Sequence, residues 1–195
     1  AFEIIGAAWF IRSYPQRKWS ALLGASLCAY AAWAFKQGSI GFLMSIGLFL
    51  LIRMAWRDLA VMVAGMAGAF AFTFAIGGPL YVTNLLFSGY PLDFTLERGF
   101  HNISYLLIKS LPVVALFVSA VLSRGFTREA WMRVLHDDTK LFCLIAAAVT
   151  GGLSISLSFQ VGGAENYFFS FSFFLTLAGL ALMPRDGLEA TPNNA

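Results

Sequence analysis

The segment Gly162-Gly163-Ala164-Glu165-Asn166-Tyr167-Phe168-Phe169 sets a carboxylate and an amide at the mouth of an apolar span. A charge in that position is costly unless it has a partner or a task. Glu165 can accept hydrogen bonds from sugar hydroxyls or orient a basic partner, and Asn166 offers both donor and acceptor. The same residues also read as a helix start, with Asn166 as its cap and Tyr167 as an interfacial anchor. Gly162 and Gly163 let the backbone turn sharply ahead of them.

Two other groups could do chemistry. Lys36-Gln37 sits in a turn too tight to be a solvated loop, so Lys36 lies at the end of an apolar helix. It can bind a phosphate as a point charge or snorkel to the headgroups. Asp93, Glu97, Arg98 and His101 fall within nine residues. The spacing of four puts Asp93, Glu97 and His101 on one helix face. Arg98 or His101 could contact a phosphate while an acid moves a proton, or the group is the polar face of a surface helix. His136-Asp137-Asp138 has the residue types of a metal or acid–base unit, but beside Arg133 and Lys140 it reads as a solvated loop with local ion pairs.

The elements that must position these residues are membrane helices. The chain of 195 residues is 59% hydrophobic and 12% charged, with a mean hydropathy of +0.75. A soluble domain carries about 25% charge, so a soluble enzyme and a disordered chain are both excluded. Apolar segments run over about 1–11, 21–35, 39–52, 59–76, 105–122, 141–159 and 168–183. Each must be helical, because a lipid-exposed segment has to satisfy its own backbone hydrogen bonds. The fold class is therefore an all-α polytopic bundle of six to seven membrane segments with a partly helical outer connection. Residues 1–187 form the membrane domain, and 188–195 a polar tail. Cys28 and Cys143 lie inside apolar segments and read as small hydrophobes.

Basic residues orient the bundle. Arg12, Arg17, Lys18, Arg53, Arg57, Arg124, Arg128, Arg133, Lys140 and Arg185 fall on one face if the chain crosses at every segment. Lys36, Arg98 and Lys109 fall on or near the other, ten against three of the thirteen. The richer face is cytoplasmic by the positive-inside rule. The outer face then holds the turn at Lys36, the connection 77–104 and the hinge 160–166. Within that connection Pro79, Gly89 and Pro91 mark breaks, and 92–100 has the mixed pattern of a short amphipathic surface helix. Nucleic-acid binding finds no support, because the basic residues are where topology requires them.

At Phe35-Lys36-Gln37 and at Gly162-Gly163 with Asn166-Tyr167-Phe168 the chain resembles the C-terminal half of the GT-C membrane glycosyltransferases, the bacterial group of mannosyl- and arabinosyltransferase-like proteins. Members often carry a Lys-Gln pair at the outer end of a middle helix, and a Gly-rich segment ending in Asn-Tyr-Phe before a late helix. The resemblance implies transfer of a sugar from a polyprenyl-phosphate carrier to an acceptor, at the outward face of a bacterial inner (plasma) membrane. It implies substrate contacts at Lys36, Gln37, Arg98, His101, Glu165, Asn166 and Tyr167. The family's usual base is an acid in the first outer loop. The first outer turn here is Lys36-Gln37, so the base is expected upstream, in an N-terminal remainder of a longer parent. Members also commonly place an acid one or two residues after Asn-Tyr-Phe; here Ser170 stands nearby and Glu165 precedes Asn166.

The expected partners are the bilayer and a polyprenyl-phosphate-linked sugar. A divalent metal would suit the implied chemistry, but no site for one is readable. Two rival readings stand beside the transferase. One is a transporter or channel-like subunit using Lys36, Lys109 and Glu165 as charges along a path. The other is a membrane scaffold without chemistry.

Overall fold

The computed structural model describes residues 2–16, 19–35, 40–87, 95–159 and 168–183. They form eight α-helices and one 3-10 turn, with no strand among the described residues. In chain order the helices are α1 (Phe2–Ser13), α2 (Trp19–Phe35), α3 (Ile40–Ile52), α4 (Trp56–Phe87), α5 (Leu96–Arg124), α6 (Arg128–His136), α7 (Asp138–Ser158) and α8 (Phe168–Leu182). The turn Tyr14–Gln16 follows α1. The expected all-α bundle is what forms.

Three stretches are long and apolar enough to cross a membrane: Trp56–Leu80, Leu96–Arg124 and Asp138–Ser158. Shorter apolar helices accompany them. Large side chains such as Phe72, Ile76, Ile108 and Phe169 point outward from the bundle. That exposure would be an aggregation hazard in water, but it is what a lipid-facing surface requires. The protein is membrane-embedded.

The interior is built on phenylalanine. Phe10, Phe42, Phe49, Phe142 and Phe174 are fully buried and come from α1, α3, α7 and α8. Phe142 is their hub, with ring centroids 4.6 Å from Phe10, 5.8 Å from Phe49 and 6.4 Å from Phe174. Lipid is as apolar as these rings, so shape-matched packing rather than escape from water holds the helices together. Small residues let backbones approach: Gly65 meets Leu23, and Gly151 meets the Phe171 ring. Gly68 and Gly152 face open space. Thr150 on α7 returns its hydroxyl to the Ala146 carbonyl at 2.6 Å, so its burial leaves that donor satisfied.

The connections hold three departures from expectation. Gly78 (φ 68°) kinks α4 just before Pro79, but the helix resumes and runs to Phe87. The break was legible at Gly-Pro; the helical continuation was not, because a proline at the first turn of a new helix costs no hydrogen bond. Second, the surface helix expected over 92–100 is, in its described part, the first turns of α5, which continues without interruption to Arg124. Third, the loop before Asp137 contains α6, capped by Thr127, whose hydroxyl accepts from the Ala130 N–H at 3.3 Å. Asp137 then caps α7 through the Lys140 N–H at 3.0 Å.

Contacts between helix ends sort the basic residues. Arg53 after α3 pairs with Asp138 at the start of α7 (2.7 Å). The Arg57 guanidinium lies over the Trp19 ring at 5.4 Å. Arg124 Nε at the end of α5 donates to the Leu182 carbonyl at the end of α8 (2.7 Å). A cation is favourable at that negative helix end. These residues define a basic end of the bundle.

Candidate functional site at the far end of the bundle

Opposite the basic end, four helix termini meet. The Thr95 N–H ahead of α5 donates to the Phe159 carbonyl at the end of α7 (3.0 Å). About two turns on, Asn102 Nδ2 donates to the Ser158 carbonyl (2.9 Å). Last-turn carbonyls of a helix lack intrahelical partners, so these two bonds satisfy the end of α7 with the start of α5. At the start of α8, Ser170 Oγ donates to Glu3 Oε2 in the first turn of α1 (2.6 Å). Glu3 Oε1 is buried and has no hydrogen-bond partner among the described residues. Residues 159 and 168, which flank the hinge segment, are thus both held at this end.

A cleft of about 350 Å³ opens between α5 and α8 just below these termini. Tyr105, Leu106, Lys109 and Ser110 line it from α5, and Phe168, Phe169 and Ser172 from α8. Its walls are mostly apolar, and its one charged lining residue is Lys109. Lys109 Nζ sits 4.1 Å from the Tyr105 ring centroid, a cation–π contact that holds the ammonium in place. Ser110 and Ser172 hydroxyls meet across the floor at 3.2 Å. A greasy slot with a fixed cation suits an amphiphile that carries an anionic group. Ser170 and Ser172 are two residues apart, so the first turns of α8 serve the Glu3 contact on one flank and the cleft on the other.

The residues expected from sequence divide as follows. Arg98 and His101 lie on the first turns of α5, exposed, at the same end as the cleft. Neither side chain makes a hydrogen bond or ion pair with another described residue, and Glu97 beside them is equally exposed. This arrangement is that of a solvated polar face. Lys36, Gln37, Asp93, Glu165, Asn166 and Tyr167 lie outside the described residues. His136, Asp137 and Asp138 sit at the α6–α7 junction, where Asp137 pairs with Lys140 (3.2 Å) and Asp138 with Arg53. Asp137 is taken up by a local ion pair, as its neighbour Lys140 suggested, whereas Asp138 pairs with a residue distant in the chain.

Two further residues, Glu3 and Lys109, belong to this end. Glu3 is an acid three residues into an apolar segment, and that alone was a usable signal. Lys109 reads in the sequence only as an intramembrane charge; its meeting with a cleft depends on α8, which begins some sixty residues further along the chain. No protein-family model, curated protein or solved structure matches this chain.

Proposed function

We propose that the chain is the membrane-embedded part of a glycosyltransferase that moves a sugar from a polyprenyl-phosphate carrier to an acceptor. The observation that carries this reading is the apolar α5–α8 cleft with Lys109 at its wall, beside the termini that flank the Asn166-Tyr167 hinge. The polyprenyl chain lies along the lipid-open slot, and the Lys109 ammonium meets the phosphate as a point charge. The far end faces outward, since the basic end is retained inside. Arg98 and His101 stand exposed above the cleft, where a hydrophilic sugar and acceptor have access.

In the reaction the acceptor hydroxyl oxygen forms a bond to the anomeric carbon. The bond from that carbon to the phosphate oxygen breaks, with inversion. A base takes the hydroxyl proton, and the phosphate leaves with its electron pair, stabilised by cationic groups. Glu3, which accepts from Ser170, brings a carboxylate to the end of the bundle where the sugar is held. Ser170 stands two residues after Asn-Tyr-Phe, where members of the GT-C group commonly carry an acid, and Glu3 brings an acid to it from α1.

The test is photocrosslinking. A polyprenyl-phosphate analogue with a photoreactive prenyl chain is irradiated with the purified chain in lipid nanodiscs, and labelled peptides are mapped. Labels are expected on 105–110 and 168–172, reduced by excess polyprenyl phosphate and by Lys109→Met. Labelling spread evenly over all lipid-facing helices, or unaffected by Lys109→Met, would overturn the reading.

A further inference from the structure

The basic end holds a second cavity that the proposed transfer reaction does not use. Its origin is local. α3 ends at Ile52, and Met54 takes a left-handed conformation (φ 51°). The Ala55 N–H then reaches back to the Leu50 carbonyl (2.9 Å) and the Met54 N–H to Leu51 (3.0 Å). This is a Schellman reversal, and only the turn 53–55 separates α3 from α4. Arg53 and Arg57 are thereby set on either side of one tight turn.

The resulting cavity measures about 620 Å³. Arg53, Arg57 and His136 line it together with Tyr14, Trp19 and Trp56. Asp58 and Asp138 also line it, but both are engaged. Asp138 pairs with Arg53, and Asp58 accepts the Tyr14 hydroxyl at 3.2 Å. Arg53 buries Nε without a hydrogen-bond partner among the described residues. Arg57 is braced against Trp19 rather than neutralised by an acid. Arg57 thus offers the cavity guanidinium N–H groups, which suit phosphate oxygens.

Depth identifies the ligand. α3 has 13 residues and spans about 20 Å at 1.5 Å per residue, against about 30 Å of hydrocarbon core. The cavity thus lies where the bundle is short, at a level that headgroups must descend to fill. Trp19 (56% exposed) and Trp56 (63%) stand at helix starts around it, as interfacial aromatics do. We propose that this cavity binds the phosphate of an anionic phospholipid headgroup in the leaflet at the basic end. The assignment is independent of what happens at the far end.

The experiment uses the purified full chain and native mass spectrometry, with thermal unfolding in detergent as a second readout. The probes are phosphatidylglycerol, phosphatidylcholine and inorganic phosphate. Phosphatidylglycerol should be retained and should raise the unfolding temperature; phosphatidylcholine and inorganic phosphate should do neither. Arg57→Gln removes a lining charge without touching the Arg53–Asp138 pair, and should weaken phosphatidylglycerol retention about fivefold. Arg128→Gln, an exposed α6 residue outside the cavity, should leave retention unchanged. Equal loss in both variants would make the attraction diffuse and overturn the site. Stabilisation by inorganic phosphate would assign the cavity to a soluble anion and overturn the lipid. Equal retention of phosphatidylcholine would overturn the need for a net negative charge.

Discussion

Ser170 Oγ donates a 2.6 Å hydrogen bond to Glu3 Oε2 across 167 residues of sequence, joining the first turn of α1 to the first turn of α8. The carboxylate's other oxygen is buried without a partner among the described residues. Removing one member of such a pair leaves the other desolvated and unmatched, at about 1–3 kcal/mol. Ser170→Ala should therefore destabilise by that amount. Replacing both, as Glu3→Leu with Ser170→Ala, should recover most of the loss, since apolar replacement of both partners is nearly neutral. Additive losses in thermal unfolding of the single and double variants would contradict this. In a transfer assay, Glu3→Gln should lower turnover about tenfold or more while leaving folding intact, because a charged acceptor is lost but the shape is kept.

Gly99 sits against Phe159, where the start of α5 crosses the end of α7. A Cβ at position 99 would overlap the Phe159 ring. Gly99→Val should force the ring or the helix aside, costing about 1–3 kcal/mol as overpacking does. Gly99→Val with Phe159→Ala should be more stable than Gly99→Val alone, which a pair of melting curves decides.

Asp137 links stability to pH. Burial raises its pKa, but the Lys140 N–H and ammonium, with a further contribution from the Thr139 N–H, outweigh that and hold it below the usual carboxylate value. A carboxyl with a lowered folded pKa stabilises fully above its unfolded value, about 3.9. That contribution is lost as pH falls through the folded pKa. Asp137→Ala should cost about 1 kcal/mol near neutrality as a lost helix cap. The gap between the two proteins should close in acid, below about pH 4. A gap constant with pH in melting experiments would rule out the charged cap.

Met54 holds a left-handed backbone that an L-residue adopts at a cost of about 1–2 kcal/mol. Met54→Gly removes that strain and keeps the reversal. The added freedom of the unfolded chain offsets part of the gain. A net rise in stability of about 0.5 kcal/mol is expected, measured as the unfolding temperature in detergent. A fall greater than 1 kcal/mol would mean that the exposed Met54 side chain makes stabilising contacts with lipid or detergent that the strain argument omits.

Helix identity was largely legible along the chain. Segments such as 39–52 and 141–159 are uncharged and dominated by apolar and small residues, and a bilayer allows such runs one answer. The sorting of Arg53, Arg57 and Arg124 to one end followed from alternating crossings, and the contacts of those residues agree with it. The resumption of α4 beyond Gly78 was not legible, because Gly-Pro signals a break equally well before a loop and before a new helix. The short α6 was hidden for another reason: nine residues carrying Arg128, Glu129 and Arg133 look like solvated loop until Ala130 and Val134 are seen packed beneath them.

The candidate site divides along the same line. Lys109 and Glu3 are visible in the sequence as charges inside apolar runs, and the cost of a charge in hydrocarbon is reason enough to single them out. What each charge meets is a different matter. Glu3 meets Ser170, Lys109 lines a cleft closed by α8, and Arg53 meets Asp138. Each relation depends on which helices are neighbours. All-apolar helices carry no stripe in the sequence to say which side faces a partner and which faces lipid. The sequence by itself determined that this protein is a helical membrane bundle with its charge gathered at one end, because hydrocarbon permits no other solution for such segments. Tertiary structure decided which carboxylate reaches which hydroxyl and where the two cavities open, because those depend on the packing of small and aromatic side chains between helices distant in the chain.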